Sequence, residues 1–203
     1  MSQLKLTADS GGGTVAIKGP ASTTGNAAIE LTVPGTGSGT LAVGDTGKIL
    51  QVLQTVKTNV FTTSSTSYVL VTGLTQAITA SSTSNKILIN ITLYGGNDTN
   101  EGAVGFRLAK DGSAIDGNTI GDASGNNQES GTIRFRQTNA NHAEDASFMF
   151  LDTPADTNSH TYGVLMKVFN SGYTGKLGTT GANGNYNQQM RCPCTITVME
   201  VAA

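Results

Sequence analysis

Lys86-Ile87-Leu88-Ile89-Asn90-Ile91-Thr92-Leu93-Tyr94 decides the fold class. Ile87, Ile89, Ile91 and Leu93 recur at period two, so an extended chain carries them on one face, with Asn90 and Thr92 on the other. β-branched residues dominate the run, and they suit a pleated, half-buried surface. Toward the C-terminus the alternation continues. Residues 102–109 turn Val104, Phe106 and Leu108 inward, and Lys110-Asp111-Gly112-Ser113 reads as a tight hairpin turn, because Asp-Gly tolerates positive φ. Residues 132–136 place Ile133 and Phe135 inward against Arg134 and Arg136 outward. Residues 146–151, 161–169 and 190–201 repeat the pattern, the last with Ile196 and Val198 on one face. Toward the N-terminus come Gln76-Ala77-Ile78-Thr79, Tyr68-Val69-Leu70-Val71 and a first substantial strand over 48–57.

Roughly eight strands over residues 60–203, separated by Gly/Asn/Ser-rich turns, predict an antiparallel β-sandwich. Its long loops, at 113–130, 137–145 and 170–189, are expected to cluster at the ends of the sandwich. Leu88, Met149, Leu165 and Met199 fall on outward faces, where a monomeric sandwich carries polar groups. They read either as a second buried surface between subunits or as ordinary surface hydrophobes.

Residues 1–47 are thin in large apolar groups. Three short alternations stand out, Leu4-Lys5-Leu6, Val15-Ala16-Ile17-Lys18 and Ile29-Glu30-Leu31-Thr32-Val33, bounded by Ser10 to Gly13, Gly19-Pro20 and Pro34-Gly35. Such strands bury no core alone. The whole is therefore read as all-β: an extended N-terminal β arm over 1–57, whose strands pair with another chain, followed by an antiparallel sandwich over 58–203.

Charged residues make up 13% of the 203-residue chain, and the net charge is −2. The basic residues are scattered, which argues against nucleic acid as a partner, since phosphate recognition needs clustered Lys and Arg. No apolar run approaches the ~20 residues that span a bilayer, so no membrane partner is expected. Residues 1–25 lack the apolar core of a signal peptide, which predicts assembly in a cytoplasm. Without a secretory route, the glycosylation patterns at Asn90 and Asn97 carry no weight.

The search for chemistry yields no catalytic, cofactor or metal site. Gly39 to Lys48 fails as a phosphate loop, because Ala42 and Ile49 stand where Gly and a hydroxyl are needed. Ser38 and Ser124 fail as nucleophile elbows, with Thr36 and Asp122 two residues before them. His142 has Glu144 and Asp145 nearby, and His160 is the other histidine; both read as loop residues with local turn bonding. Asp111, Asp116, Asn118, Asp122, Asn126 and Asn127 crowd one Gly-rich stretch, but their spacing fits no calcium loop, and turn chemistry is the preferred reading. Cys192-Pro193-Cys194 puts two thiols on one face of an extended strand, at the long limit for a disulfide. They read as buried structural cysteines, with thiolates pooled by three chains on an axis as the alternative. Tyr173, Tyr186, Asn183, Asn185 and Gln188 offer aromatic and amide groups suited to a sugar; a glycine-rich connector is the preferred reading.

Ser10-Gly11-Gly12-Gly13-Thr14-Val15-Ala16-Ile17-Lys18-Gly19-Pro20, Ile29-Glu30-Leu31-Thr32-Val33-Pro34 and Gly47-Lys48-Ile49-Leu50-Gln51 together resemble a segment recurrent in phage fibre and appendage proteins. Val60-Phe61-Thr62-Thr63 to Val69, Ser84-Asn85-Lys86-Ile87-Leu88-Ile89, Phe106-Arg107-Leu108-Ala109-Lys110-Asp111-Gly112 and Thr195-Ile196-Thr197-Val198-Met199-Glu200 resemble a C-terminal module of marine and cyanobacterial phage virion proteins. The two resemblances span most of the chain. They imply a virion location, a jelly-roll-like knob and three-fold symmetry: a non-enzymatic, homotrimeric tail-fibre or head-fibre appendage contacting other virion proteins. A capsid decoration (cement) protein and a lectin-like module binding a host surface glycan are the alternatives.

Overall fold

The computed structural model describes residues 3–7, 14–18, 47–115, 117–122, 131–184, 187 and 189–203. The chain divides into two compact units, Met1–Val43 and Gly44–Ala203.

In the first unit β1 (Gln3–Thr7) pairs antiparallel with β2 (Thr14–Lys18), Leu6 opposite Val15 and Leu4 opposite Ile17. Two of the three strands expected in this arm thus pair with each other within the chain. The connecting sequence is short and glycine-rich, so closing the local hairpin costs little chain entropy. The third expected strand, Ile29 to Val33, lies outside the described residues.

The second unit holds β3 (Ile49–Lys57), β4 (Phe61–Thr63), β5 (Val69–Thr79), β6 (Lys86–Asn97), β7 (Ala103–Lys110), β8 (Ser113–Ala114), β9 (Ile133–Arg136), β10 (Glu144–Asp152), β11 (Ser159–Val168), β12 (Gly175–Leu177) and β13 (Cys194–Val201). All form two antiparallel sheets. In the first, β6 lies between β10 and the pair β13 and β12, which follow each other along its far side. β3 flanks β13, and β4 flanks β12. In the second, β11 lies between β5 and β7, and β8 and β9 share the free side of β7. If β3 and β4, β8 and β9, and β12 and β13 each count as one position, the first sheet reads sixth, third, eighth, first. The second reads second, seventh, fourth, fifth. This is the two-Greek-key order of a jelly roll, as the sequence led us to expect.

One boundary moves. β3, placed in the arm by sequence, pairs along its length with β13, from Cys194 opposite Lys57 to Glu200 opposite Gln51. Gln51 and Thr55 also reach across to the other sheet, donating to the Thr79 carbonyl and to Gln76 Oε1 at 2.8 Å each. The sandwich therefore includes β3, within the unit Gly44–Ala203, rather than starting at residue 58.

The core follows from the alternation. Ile87, Ile89, Ile91 and Leu93 are buried, with Ile196 and Val198 of β13 beside them. Val104, Phe106 and Leu108 of β7 and Tyr162, Val164 and Met166 of β11 complete the core from the other sheet. Phe106 meets Phe135 edge-on, with centroids 5.0 Å apart. Each such side chain contributes about 1.5–3 kcal/mol on leaving water.

The two strands expected at 68–71 and 76–79 are one strand, β5. Its register against β11 slips between Leu70, opposite Leu165, and Thr75, opposite Gly163. Gly73, at φ +77°, absorbs the irregularity in a conformation that L side chains rarely adopt. At the predicted hairpin, Asp111 (φ 52°) and Gly112 (φ 80°) both lie in the left-handed region, as a primed turn requires.

The loops 137–143 and 178–184 do meet at one end of the sandwich, where the Gly181 and Ala182 amides donate to the carbonyls of His142 and Ala140. Residues 113–115 instead run beside β7, with the Ile115 amide on the Leu108 carbonyl, and the Gly121 amide donates to the Gly131 carbonyl.

Candidate assembly surface

The outer face of the β6 sheet carries a row in register across four strands. Val52 lies opposite Met199, Met199 opposite Leu88, and Leu88 opposite Leu151. Val52 is 56% exposed and Leu151 is exposed; Leu88 and Met199, shielded by a neighbour on each side, are half-buried. One step along, Met149, 58% exposed, opens the next row opposite Asn90, followed by Thr197 and Gln54. That row turns polar, with Gln54 Nε2 donating to Thr197 Oγ1 at 2.8 Å. The apolar row thus crosses the sheet from edge to edge and carries no charge.

β3 closes one edge. Among the described residues it pairs with β13 alone, and Ile49, Leu50, Val52, Leu53 and Val56 are all exposed. Leu53 is on the face that continues the core, Val52 and Val56 on the other. A nine-residue edge strand that is apolar on both faces is an association surface. Of the four outward residues flagged by sequence, Leu165 behaves differently. It points outward from β11 but is buried, between Leu70 and Arg107 in register.

Two polar clusters lie at the opposite end from the long loops. In the first, Glu200 is 1% exposed, on the inner phase of β13. Its Oε1 accepts from the Ser81 amide (2.6 Å), Ser81 Oγ (2.7 Å) and Asn85 Nδ2 (2.6 Å), and its Oε2 from Gln51 Nε2 (2.8 Å). Burial works against its charge, but these donors win and hold the carboxyl at about 2, from an ordinary 4.5. In the second, His160 Nδ1 is 2.7 Å from Asp111 Oδ2 and its Nε2 is 3.0 Å from Asp156 Oδ1. Asp152 accepts from Tyr162 at 2.5 Å and pairs with Lys110 at 3.0 Å. The hydrogen bond to Asp111 raises the His160 pKa, and Asp156 adds to it.

The residues singled out by sequence are placed as follows, where the described residues include them. His142 is exposed, and its backbone carbonyl holds Gln137 Nε2. Glu144 accepts from the Arg136 amide at 2.8 Å, while Asp145 projects from the other face of β10; the three do not converge. Asp111 serves the hairpin turn, accepting from the Thr161 amide at 2.8 Å. Asn118 and Asp122 are exposed; Asp116, Asn126 and Asn127 lie outside the described residues. Among the described residues no three His, Cys, Asp or Glu side chains gather to hold a metal. The two nitrogens of His160 face opposite carboxylates and share no point. Cys194 is buried, its Sγ 3.4 Å from the Tyr94 amide, while Cys192 is half-buried before β13 begins; both are free thiols. They do not share a strand face as predicted, because Pro193 keeps Cys192 out of the ladder. Asn183 holds its own turn through Thr179 (2.9 Å) and meets Arg191 (3.2 Å). Tyr173 is half-buried in the loop before β12, and Asn185, Tyr186 and Gln188 lie outside the described residues.

No protein-family model and no curated protein matches this sequence.

Proposed function

We propose that this chain is a non-enzymatic structural protein of a bacteriophage particle that works as a homotrimer, a tail- or head-fibre type of appendage. The observation that carries the reading is the register-aligned row Val52, Met199, Leu88, Leu151, which ends at the open, two-faced apolar strand β3. A surface of this kind gains by covering itself, and the row reaches both edge strands of the sheet. Neighbouring copies related by a closed rotation can therefore cover it repeatedly without leaving an open end. The resemblance of residues 10–51 and of the second half to phage virion segments supplies the setting, and the jelly-roll order agrees with it.

The test has two parts. Sedimentation equilibrium of the purified chain is expected to give a trimer, and Val52→Lys with Leu151→Lys is expected to give a folded monomer with an unchanged β-sheet spectrum. A wild-type monomer at all concentrations sinks the assembly reading. Calibrated mass spectrometry of purified particles then counts copies against the major capsid protein. A few tens of copies or fewer mean a fibre, a ratio near one-to-one means a capsid decoration protein, and absence from particles sinks the virion reading.

A further inference from the structure

We infer that the pocket on the outer face of the β7 sheet binds an acidic saccharide unit, a sugar ring carrying a carboxylate. The pocket lies within one chain and does not depend on the assembly reading. It is built around a missing side chain. Gly105 on β7 sits between Lys167 of β11 and Arg134 of β9, the three in register across the sheet. A Cβ on residue 105 would come within 3.1 Å of both the Phe169 ring and the Tyr68 hydroxyl, so glycine lets the two rings settle over the strand.

The space beside them is about 300 Å³, at the small end of the ligand-pocket range. Its wall is formed by Tyr68, Phe169, Arg134, Thr132 and Asp122. The rings are clamped by cations: Arg107 is 4.4 Å from the Tyr68 centroid, Lys167 4.9 Å from that of Phe169 and 5.4 Å from that of Tyr68, and Arg134 5.7 Å from that of Phe169. Lys167 is only 7% exposed, so its charge sits behind the rings with little solvent screening.

The polar and aromatic side chains of the wall match features of an acidic sugar. The exposed Arg134 guanidinium offers a planar fork to a carboxylate. Asp122 suits vicinal hydroxyls, the Thr132 hydroxyl, whose oxygen accepts from the Leu108 amide at 3.1 Å, keeps its proton to donate, and the ring surfaces suit the C–H face of a pyranose. A neutral sugar leaves Arg134 unused, and a bare anion leaves the aromatic wall and Asp122 unused.

The test titrates an oligosaccharide of mannuronate into the ¹⁵N-labelled full chain, with a neutral dextran oligosaccharide and inorganic sulfate as parallel probes. Saturable shifts are expected at the amides of 104–107 and 131–134 with mannuronate only. Arg134→Gln is expected to weaken binding about tenfold or more through loss of a charge-assisted contact, with an unchanged melting temperature because Arg134 is exposed. Phe169→Leu is expected to weaken it as well. No saturable shift, equal binding of dextran, competition by equimolar sulfate, or binding indifferent to Arg134→Gln overturns the inference.

Discussion

At the scale of single residues, two ionisable groups contribute pH dependences of opposite sign to the stability of the sandwich. Glu200 has its pKa depressed to about 2 on folding, so its contribution is present above pH 4.5 and is lost as pH falls from there toward 2. Glu200→Gln, which leaves the Ser81 and Asn85 donors facing an amide, is expected to cost roughly 2–3 kcal/mol at neutral pH. The variant's denaturation midpoint should also show a shallower acid slope than the wild type in that window, Asp98 and Asp111 supplying the remainder. His160 has the opposite sign. Its pKa is raised by Asp111 and Asp156, against the nearby Lys110. Its contribution is complete below pH 6.5 and disappears as pH climbs through the raised value. His160→Gln should therefore flatten the melting temperature across that alkaline window, and an unchanged slope would refute the assignment. Glu200 was legible in principle, because the inward phase of Ile196 and Val198 continues onto it. Its partners were not, since Ser81 and Gln51 lie 119 and 149 residues away in sequence.

At the scale of elements, long periodic strands declared themselves and short ones did not. β6 has twelve residues and alternates from Lys86 to Gly95, whereas β4 and β12 have three residues each. A period of two cannot be read from three residues, so these strands exist only because β12 bridges β6 and β4. That bridge is tight. A Cβ on Gly95 would run into the Lys176 carbonyl and the Leu177 backbone, which cannot turn aside as a side chain can. Gly95→Ala is expected to destabilise by at least about 2 kcal/mol, with hydrogen exchange accelerated first at 175–177; a near-neutral melt would contradict this packing. The misplacement of β3 has a related cause. Apolar on both faces, it carries no clean alternation to orient it, and nothing local says which sheet takes it up. The Gly105 pocket was hidden for the same reason, because Tyr68, Gly105, Arg134 and Phe169 converge only through strand register.

At the scale of the whole molecule, the division at Val43 and Gly44 predicts that residues 44–203 fold without the segment before them. The Gly47 amide already donates to the Ala202 carbonyl, and the Ala202 amide to that of Lys48, so the sandwich closes its own first strand. A chain starting at Gly44 is expected to melt cooperatively within a few degrees of the full chain, measured by circular dichroism. Loss of cooperative melting would mean that the sandwich depends on residues 1–43.

The sequence alone determined that this protein is all-β and which faces of its long strands are buried, because both follow from side-chain period, a property of neighbours along the chain. It also named the apolar residues Leu88, Met149 and Met199 that strand geometry would turn outward. A jelly roll was implied by resemblance alone; only the tertiary structure decided which strands lie side by side in it, the place of β3, the alignment of Val52, Met199, Leu88 and Leu151 into one row, and the pocket over Gly105. Each of these depends on which strands lie side by side and in what register, and backbone hydrogen bonds pair any strand with any other. The choice is made by the packing of the whole core, which no single segment carries.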